Sequence, residues 1–261
     1  NKILLKGVVF MLKEERLLKI INKLKLNESV SISKLANSFE VSKSTIRRDL
    51  DELEEDGYVK RTHGGAVLVE KFNNEYNFNK KREENFAEKN AIAKYAASLV
   101  EEGDIIAINS STLTYLMIDH LTVEKLKIVT NSLDVLNQVS DTKNYDVSVL
   151  GGDYFHSART IEGPITEKQI RKMHFDKSFL GVNGISLDLG LSTGSSIEAS
   201  SKIAMIECSE EAYFLSESKK FDKDSFYKIA DFEDVSMIIT DQNLTDHRYN
   251  NYKDKVNLVR V

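Results

Sequence analysis

Arg47 and Arg48 stand side by side in a stretch that also carries hydroxyls at Ser42, Ser44 and Thr45 and a further cation at Lys43. An arginine fork can bind guanine O6 and N7 in the major groove, while hydroxyls and lysines serve phosphates. Lys60 and Arg61 follow on the short run Tyr58–Thr62, which turns through His63-Gly64-Gly65 into Ala66–Val69. Hydroxyls and paired arginines in the first two turns of a helix, then a basic hairpin, suit a winged reader of duplex DNA. On these residues alone, an ordinary amphipathic helix with a solvated charged face remains the alternative.

A second set of chemically capable residues lies beyond Gly103. Short apolar runs occur at Ile105–Ile108, Lys127–Val129, Asp146–Leu150, Ser178–Val182, Tyr213–Leu215 and Met237–Ile239. They end in Asn109-Ser110-Ser111-Thr112-Leu113-Thr114, Thr130-Asn131, Gly151-Gly152, Asn183-Gly184, Ser216-Glu217-Ser218-Lys219 and Thr240-Asp241. Ligands of open α/β sheets bind at the carboxyl edge of the strands, so these polar ends predict a small, hydroxyl-rich ligand there. Ser110–Thr114 leads from a strand into a helix holding Leu116, Met117 and Leu121. Hydroxyls and backbone N–H groups at such a helix start make a phosphate cradle. Lys219 adds a cation at another strand end, with a surface lysine beside Lys220 as its other reading.

The elements that must position these residues follow from spacing. Ile46, Leu50 and Leu53 fall at i, i+4, i+7 on one stripe of a helix that Ser42 is placed to cap. Gly57 sits where that helix ends. Leu17, Ile20, Ile21 and Leu24 give the same spacing in an earlier helix, about Leu12 to Leu26. A shorter helix runs from a Ser31 cap through Ile32, Leu35, Ala36 and Phe39, and only Glu40-Val41-Ser42 separate it from the third. This is a helix-turn-helix, with apolar Val41 plugging the angle. Asp49 reads as a local salt-bridge or capping partner for an arginine rather than a base reader. Residues 70–86 are polar and aperiodic, a linker ending in charge. Within it Lys80-Lys81-Arg82 reads as a solvated run, a second DNA contact being the alternative. A helix over Ala87–Val100 then turns Ile92, Ala96 and Leu99 inward. The apolar runs beyond it, separated by helical segments, predict a mostly parallel sheet covered on both faces, with Val256–Val261 as one more strand.

Composition bounds the function. The 261 residues are 41% hydrophobic, enough for one large core or two modest ones, and the net charge of −5 excludes a histone-like polycation. Positive charge is local to Lys43, Arg47, Arg48, Lys60 and Arg61, while Asp49–Asp56 make the far end of the third helix acidic. Cys208, the single cysteine, excludes an internal disulfide and fits a reducing compartment and a buried helix position. The five histidines form no i, i+4 pair, so neither a metal site nor a cofactor is expected. No apolar run approaches the roughly 18 residues of a membrane span. Residues 1–10 read as an upstream segment without regular structure, and the protein as cytoplasmic.

The run Val-Ser-x-x-Thr-Ile-Arg-Arg-Asp-Leu, then Leu-Glu, Gly and His-Gly-Gly-Ala, resembles the winged helix-turn-helix of DeoR-type transcriptional regulators. Beyond it, Thr130-Asn131-Ser132, Gly151-Gly152, Gly163-Pro164, Phe179–Ile185, Gly190–Thr193, Glu198-Ala199 and Ser218–Phe221 are similar to that family's sensor half. The resemblance implies that Ser42, Ser44, Thr45, Arg47 and Arg48 approach DNA, with the wing at Lys60–Gly65, including His63 and Gly64, touching backbone or minor groove. It implies a sensor similar in fold to ribose-5-phosphate isomerase that binds a phosphorylated sugar. Asn109, Ser111 and Leu113 depart from the usual Asp-Ser-Gly-Thr/Ser-Thr loop, and Asn183 stands where Asp is usual.

The expected organisation is therefore a winged helix-turn-helix over 11–69, a linker over 70–86 and an α/β effector-sensing domain over 87–261. The expected function is a homo-oligomeric repressor, dimer or tetramer, of sugar uptake and catabolism genes. Its partners are double-stranded operator DNA and a phosphosugar. The effector is expected at Asn109, Ser110, Ser111, Thr112, Thr114, Asn131, Gly151, Gly152, Asn183, Gly184 and Lys219. The alternative is an isomerase-like enzyme with a DNA-binding head, for which Glu198 and Asp241 are the acids available as a general base.

Overall fold

The computed structural model describes residues 3–5, 8–10, 13–27, 29–55, 58–68, 82–142, 145–156 and 158–261, and the chain divides into two compact units, 1–80 and 81–261. Gly57, Lys80 and Lys81 lie outside the described residues, as does most of the 70–86 linker.

In the first unit, β1 (Ile3–Leu5) and β2 (Val8–Phe10) pair antiparallel. This corrects the reading of residues 1–10 as lacking regular structure; Val8 and Val9 are β-branched and strand-favouring. Helix α1 (Lys13–Asn27) buries Ile20 and Leu24 completely, with Leu17 and Ile21 packed against the same cluster. β3 (Ser29–Ser31) follows, too short to be legible as a strand, and Ser31 then caps α2 (Ile32–Phe39) by accepting the Lys34 N–H at 3.2 Å. Glu40 ends α2 in the left-handed region at φ 54°, and Val41 packs against the core. Helix α3 (Lys43–Glu55) buries Ile46, Leu50 and Leu53. β4 (Val59–Thr62) and β5 (Gly65–Leu68) form the wing, in the order β3-β5-β4. Gly65 is required here, because a Cβ on it would sit 1.8 Å from the Val30 carbonyl oxygen.

The second unit opens with α4 (Phe86–Ala97), β6 (Ile105–Ile108), α5 (Thr112–His120), β7 (Lys127–Thr130), α6 (Leu133–Thr142) and β8 (Asp146–Val149). A hairpin of β9 (Asp153–Phe155) and β10 (Thr160–Glu162) leads to α7 (Pro164–Ile170) and β11 (Phe175–Gly181). Then come β12 (Gly184–Ser186), β13 (Gly190–Thr193), α8 (Ser196–Glu207), β14 (Ser209–Ser216) and β15 (Tyr227–Ala230). β16 (Met237–Thr240), α9 (Asp246–Tyr252) and β17 (Leu258–Arg260) complete it.

The main sheet has seven strands in the order β17-β16-β14-β11-β6-β7-β8, and every pairing is parallel. Successive residues point to opposite faces, so Phe179 and Leu215 enter one buried cluster while Leu180 and Phe214 enter the other. Both faces are thus covered, as a fully parallel sheet needs. β11 begins earlier than its apolar run, because Asp176 accepts the Ile105 N–H at 2.7 Å and Lys177 pairs with buried Asp104 at 2.7 Å. Polar residues with such partners hide a strand from hydropathy. The small antiparallel sheet β12-β13-β15 was likewise not anticipated.

The chain places β7 and β8 to one side of β6, then crosses to β11 and continues outward through β14, β16 and β17. Crossovers from the adjacent ends of β6 and β11 therefore diverge. Such a reversal opens a crevice at the carboxyl ends of the two strands.

Candidate DNA-reading head and ligand-binding edge

Helix α3 begins with a hydroxyl cluster. Ser42 Oγ accepts the Thr45 N–H at 3.0 Å and lies 2.7 Å from Ser44 Oγ and 2.8 Å from Thr45 Oγ1. Lys43, Arg47 and Arg48 are exposed, as are Lys60, His63 and Gly64 of the wing. Arg61 differs. It is part-buried, and its guanidinium bonds to Asp51, to the Gly65 carbonyl at 3.3 Å and to the Arg47 carbonyl at 3.4 Å.

The acidic end of α3 is tied into the head. Buried Asp49 takes a two-pronged bond from Arg16, Nε at 2.6 Å and Nη2 at 2.9 Å. Glu52 pairs with Lys13 at 2.5 Å, and Glu54 accepts the Arg61 backbone N–H at 2.7 Å. These acids position α3 against α1 and the wing, leaving the cations at the helix start outward.

At the crevice of the second unit, Ser111 caps α5 by accepting the Thr114 N–H at 3.1 Å, while buried Thr114 Oγ1 donates to the Asn109 carbonyl at 2.8 Å. Asn109 is buried, and its Oδ1 accepts the Gly181 N–H at 3.0 Å across the reversal point. The two loops touch so closely that a Cβ on Gly181 would lie 2.6 Å from Ser111 Cβ. Ser110 Oγ donates to the Ala158 carbonyl at 3.1 Å, bringing in the loop between β9 and β10. Ser110, Ser111 and Thr112, all half-buried, mark the N-terminus of α5.

From Asn183 the contacts continue inward. Thr193 Oγ1 lies 2.8 Å from Asn183 Oδ1 and 3.1 Å from Glu198 Oε2, and it accepts from Lys202 Nζ at 3.0 Å. Lys202 pairs with Glu198 at 3.6 Å. Buried Asn131 donates through Nδ2 to Glu162 Oε1 at 2.8 Å, Thr160 donates to the same oxygen at 3.2 Å, and Ser201 donates to the other. Burial pushes the Glu162 carboxyl up to about 7, against the pull of the Ser201 and Thr160 hydroxyls. Burial also lowers the Lys202 ammonium, with Glu198 and Glu162 acting the other way. Carboxylates, one lysine, hydroxyls and amides in one network are the groups that bind a polyol, offering acceptors and donors in alternation.

The sequence reading brought Asn131 and Asn183 to this edge but missed Thr193, Glu162, Ser201 and Lys202. A signal existed in Glu198 and Lys202, four apart on α8; Glu162 had none, because its hairpin could not be placed. The other expected residues have different surroundings, although a Cβ on Gly152 would lie 2.7 Å from the Glu162 carbonyl oxygen. Gly151 and Gly152 follow the edge strand β8, where the Gly151 N–H donates to Gln169 at 2.9 Å and its carbonyl accepts from Thr166 at 2.9 Å. Gly184 is buried within β12. Lys219 sits past β14, paired with Glu217 at 2.8 Å. Glu217 also accepts from Asn85 at 2.9 Å, and these residues line a polar pocket of about 200 Å³ with Asp241 and Asn243. Arg82 stacks over the Tyr115 ring at 5.2 Å. Cys208 is half-buried against the core, just past α8. Among the described residues no group of His, Cys, Asp and Glu could hold a metal ion, and no helix is long and apolar enough to cross a membrane.

A winged helix-turn-helix joined to a doubly wound sheet with a polar crevice defines a DNA-reading regulator with a ligand-sensing half. The DeoR-like helix-turn-helix domain matches residues 16–72 and the DeoR C terminal sensor domain matches residues 84–242. The chain belongs to the DeoR family of transcriptional regulators. The uncharacterized HTH-type transcriptional regulator FruR of Bacillus subtilis strain 168 is 37% identical, covering 94% of this chain and 97% of its own. The transcriptional repressor AccR of Agrobacterium fabrum is 34% identical over 90% and 92%, and the HTH-type transcriptional repressor GlcR of Bacillus subtilis is 30% identical over 89% and 90%. Among solved structures, ribose 5-phosphate isomerase A of Neisseria gonorrhoeae overlaps 51% of this chain and 52% of its own at 16% identity and TM-score 0.36. The fold assignment rests on the strand order itself.

Proposed function

We propose that this protein is a repressor of sugar uptake and catabolism genes, acting as a homo-oligomer and released from its operator by a phosphorylated sugar. The observation that carries the reading is the continuous line of contacts at the β6–β11 reversal. It runs from the helix start at Ser110–Thr112, through the touching Ser111 and Gly181, to Asn183, Thr193, Glu198 and Lys202. A helix N-terminus at one end suits a phosphate, and a network of carboxylates, lysine and hydroxyls at the other suits sugar hydroxyls. AccR and GlcR, both named repressors, support the sign of regulation. Release requires that the sugar bind the operator-free arrangement more tightly than the bound one.

A catalytic role is disfavoured by the state of Glu198 and Asp241, the two acids the sequence offered as a general base. Glu198 is engaged by Thr193 and Lys202, and Asp241 accepts the Ser218 N–H at 2.7 Å, the Ser218 hydroxyl at 2.8 Å and the Asn243 N–H at 3.0 Å. The reading is tested by thermal unfolding against a panel of phosphosugars and their unphosphorylated parents. A ligand at a hundred times its Kd stabilises by about 2.7 kcal/mol, so the matching phosphosugar raises Tm by several degrees. Equal shifts from the parent sugar would remove the phosphate from the proposal. Turnover of ribose 5-phosphate that disappears in Glu198→Gln would restore the enzyme.

A further inference from the structure

In the DNA-reading head, the Arg61 guanidinium is held by a carboxylate and two backbone carbonyls, and its backbone N–H by a second carboxylate. The guanidinium bonds to Asp51 and to the carbonyl of Arg47 on α3, and to the carbonyl of Gly65 on the opposite wing strand. Its backbone N–H meets Glu54, one turn further along α3 than Asp51. One residue of β4 is therefore fastened at two levels of α3 and across the hairpin. Its side chain is 23% exposed, against 58% for Asp51. Lys60 precedes it with the opposite orientation on the strand and is exposed, and among the described residues no hydrogen bond or ion pair engages the side chain of Lys60, Arg47 or Arg48.

We propose that Arg61 is a positioning residue, not a DNA contact: with Asp51 and Glu54 it fixes the angle between the wing and the reading helix. This rests on the DNA-reading function and deepens it. The chemistry separates Arg61 from its basic neighbours. A lysine or arginine that neutralises a phosphate releases counterions, so its removal lowers the salt dependence of binding by about one contact, a slope of about 0.9 in log K against log salt. Arg61 is already neutralised by Asp51, and its fork geometry, not its charge, is what spans two carbonyls and a carboxylate. Lysine cannot reproduce that fork. The outward charge of the head then comes from Lys43, Arg47, Arg48 and Lys60.

The test uses the full chain and a duplex that the wild type enriches from a random-sequence pool, with a scrambled duplex as control. Arg61→Ala and Arg61→Lys are both expected to lose about tenfold in affinity for the enriched duplex. Their salt slope and their affinity for the scrambled duplex should stay at wild type, whereas Lys60→Ala should reduce the slope by about one. Asp51→Asn, which keeps an oxygen in place, should weaken selective binding in the same direction as Arg61→Lys. Recovery of affinity by Arg61→Lys together with a lowered slope in Arg61→Ala would make Arg61 a phosphate contact and overturn the proposal. Equal losses on both duplexes would overturn it too, since a merely unfolded wing affects both alike. A wild-type chain that enriches no sequence overturns the DNA-reading function itself, and the proposal with it.

Discussion

Glu162 shows how a single buried carboxyl links the proposed ligand-binding edge to pH. The folded chain raises it from 4.5 to about 7, so the folded state keeps a proton that the unfolded state releases above pH 4.5. The contribution of this group is therefore most favourable below pH 4.5 and is lost as pH rises to 7. The shift corresponds to about 3–4 kcal/mol at most. Glu162→Gln, which mimics the protonated acid in size, should match wild type in urea midpoint near pH 4 and exceed it at pH 8. Parallel pH profiles for the two proteins would show that Glu162 is not the titrating group. Nothing in the sequence marked this residue, because its partners Asn131, Thr160 and Ser201 come from three separate elements.

At the scale of elements, α3 is tied to α1 by the buried Arg16–Asp49 ion pair. Removing one partner of such a pair strands the other charge, at a cost of about 3–5 kcal/mol, whereas replacing both by apolar groups is often neutral. Asp49→Ala should therefore lower the urea midpoint for hydrogen-exchange protection of α3, and Arg16→Met added to it should restore most of the loss. Additive losses would assign Asp49 a role other than as the Arg16 partner. The sequence anticipated that Asp49 would serve an arginine, but its partner is 33 positions away, beyond the reach of any helical periodicity. Elements with a strong period or a long apolar run were legible: α1, α2, α3 and the parallel strands β6, β7, β8, β11, β14 and β16. β3, the β9–β10 hairpin and the β12-β13-β15 sheet were not, being short, polar or broken by glycine. Since the inner half of the ligand-binding edge is built from these pieces, it was the less legible half of the site.

For the whole molecule, reading DNA and sensing a ligand belong to different compact units, 1–80 and 81–261, and should fail independently. Arg47→Ala with Arg48→Ala should abolish selective binding to the enriched duplex, a loss of about thirtyfold or more if each arginine makes one good base contact of about 1–3 kcal/mol. Phosphosugar-induced stabilisation of the second unit should be unchanged in that variant. Retained footprints would move base recognition away from the start of α3. The division also explains why local charge, not the net charge of −5, was the informative quantity. The basic surface serves one unit while the acids of the other set the total.

The contact between Ser111 and Gly181 bears on how this crevice can change over generations. With Ser at 111, a Cβ at 181 has no room, at 2.6 Å from the Ser111 Cβ. If 111 carried the glycine usual in the family's first loop, that obstruction would be gone. The two positions are therefore epistatic, and the order of substitution matters: 111 must shrink before 181 can grow. A descendant that placed a side chain at 181 would need Ser111→Gly first, or a shift of the start of α5. The identity at 111 thus decides whether a side chain fits at 181.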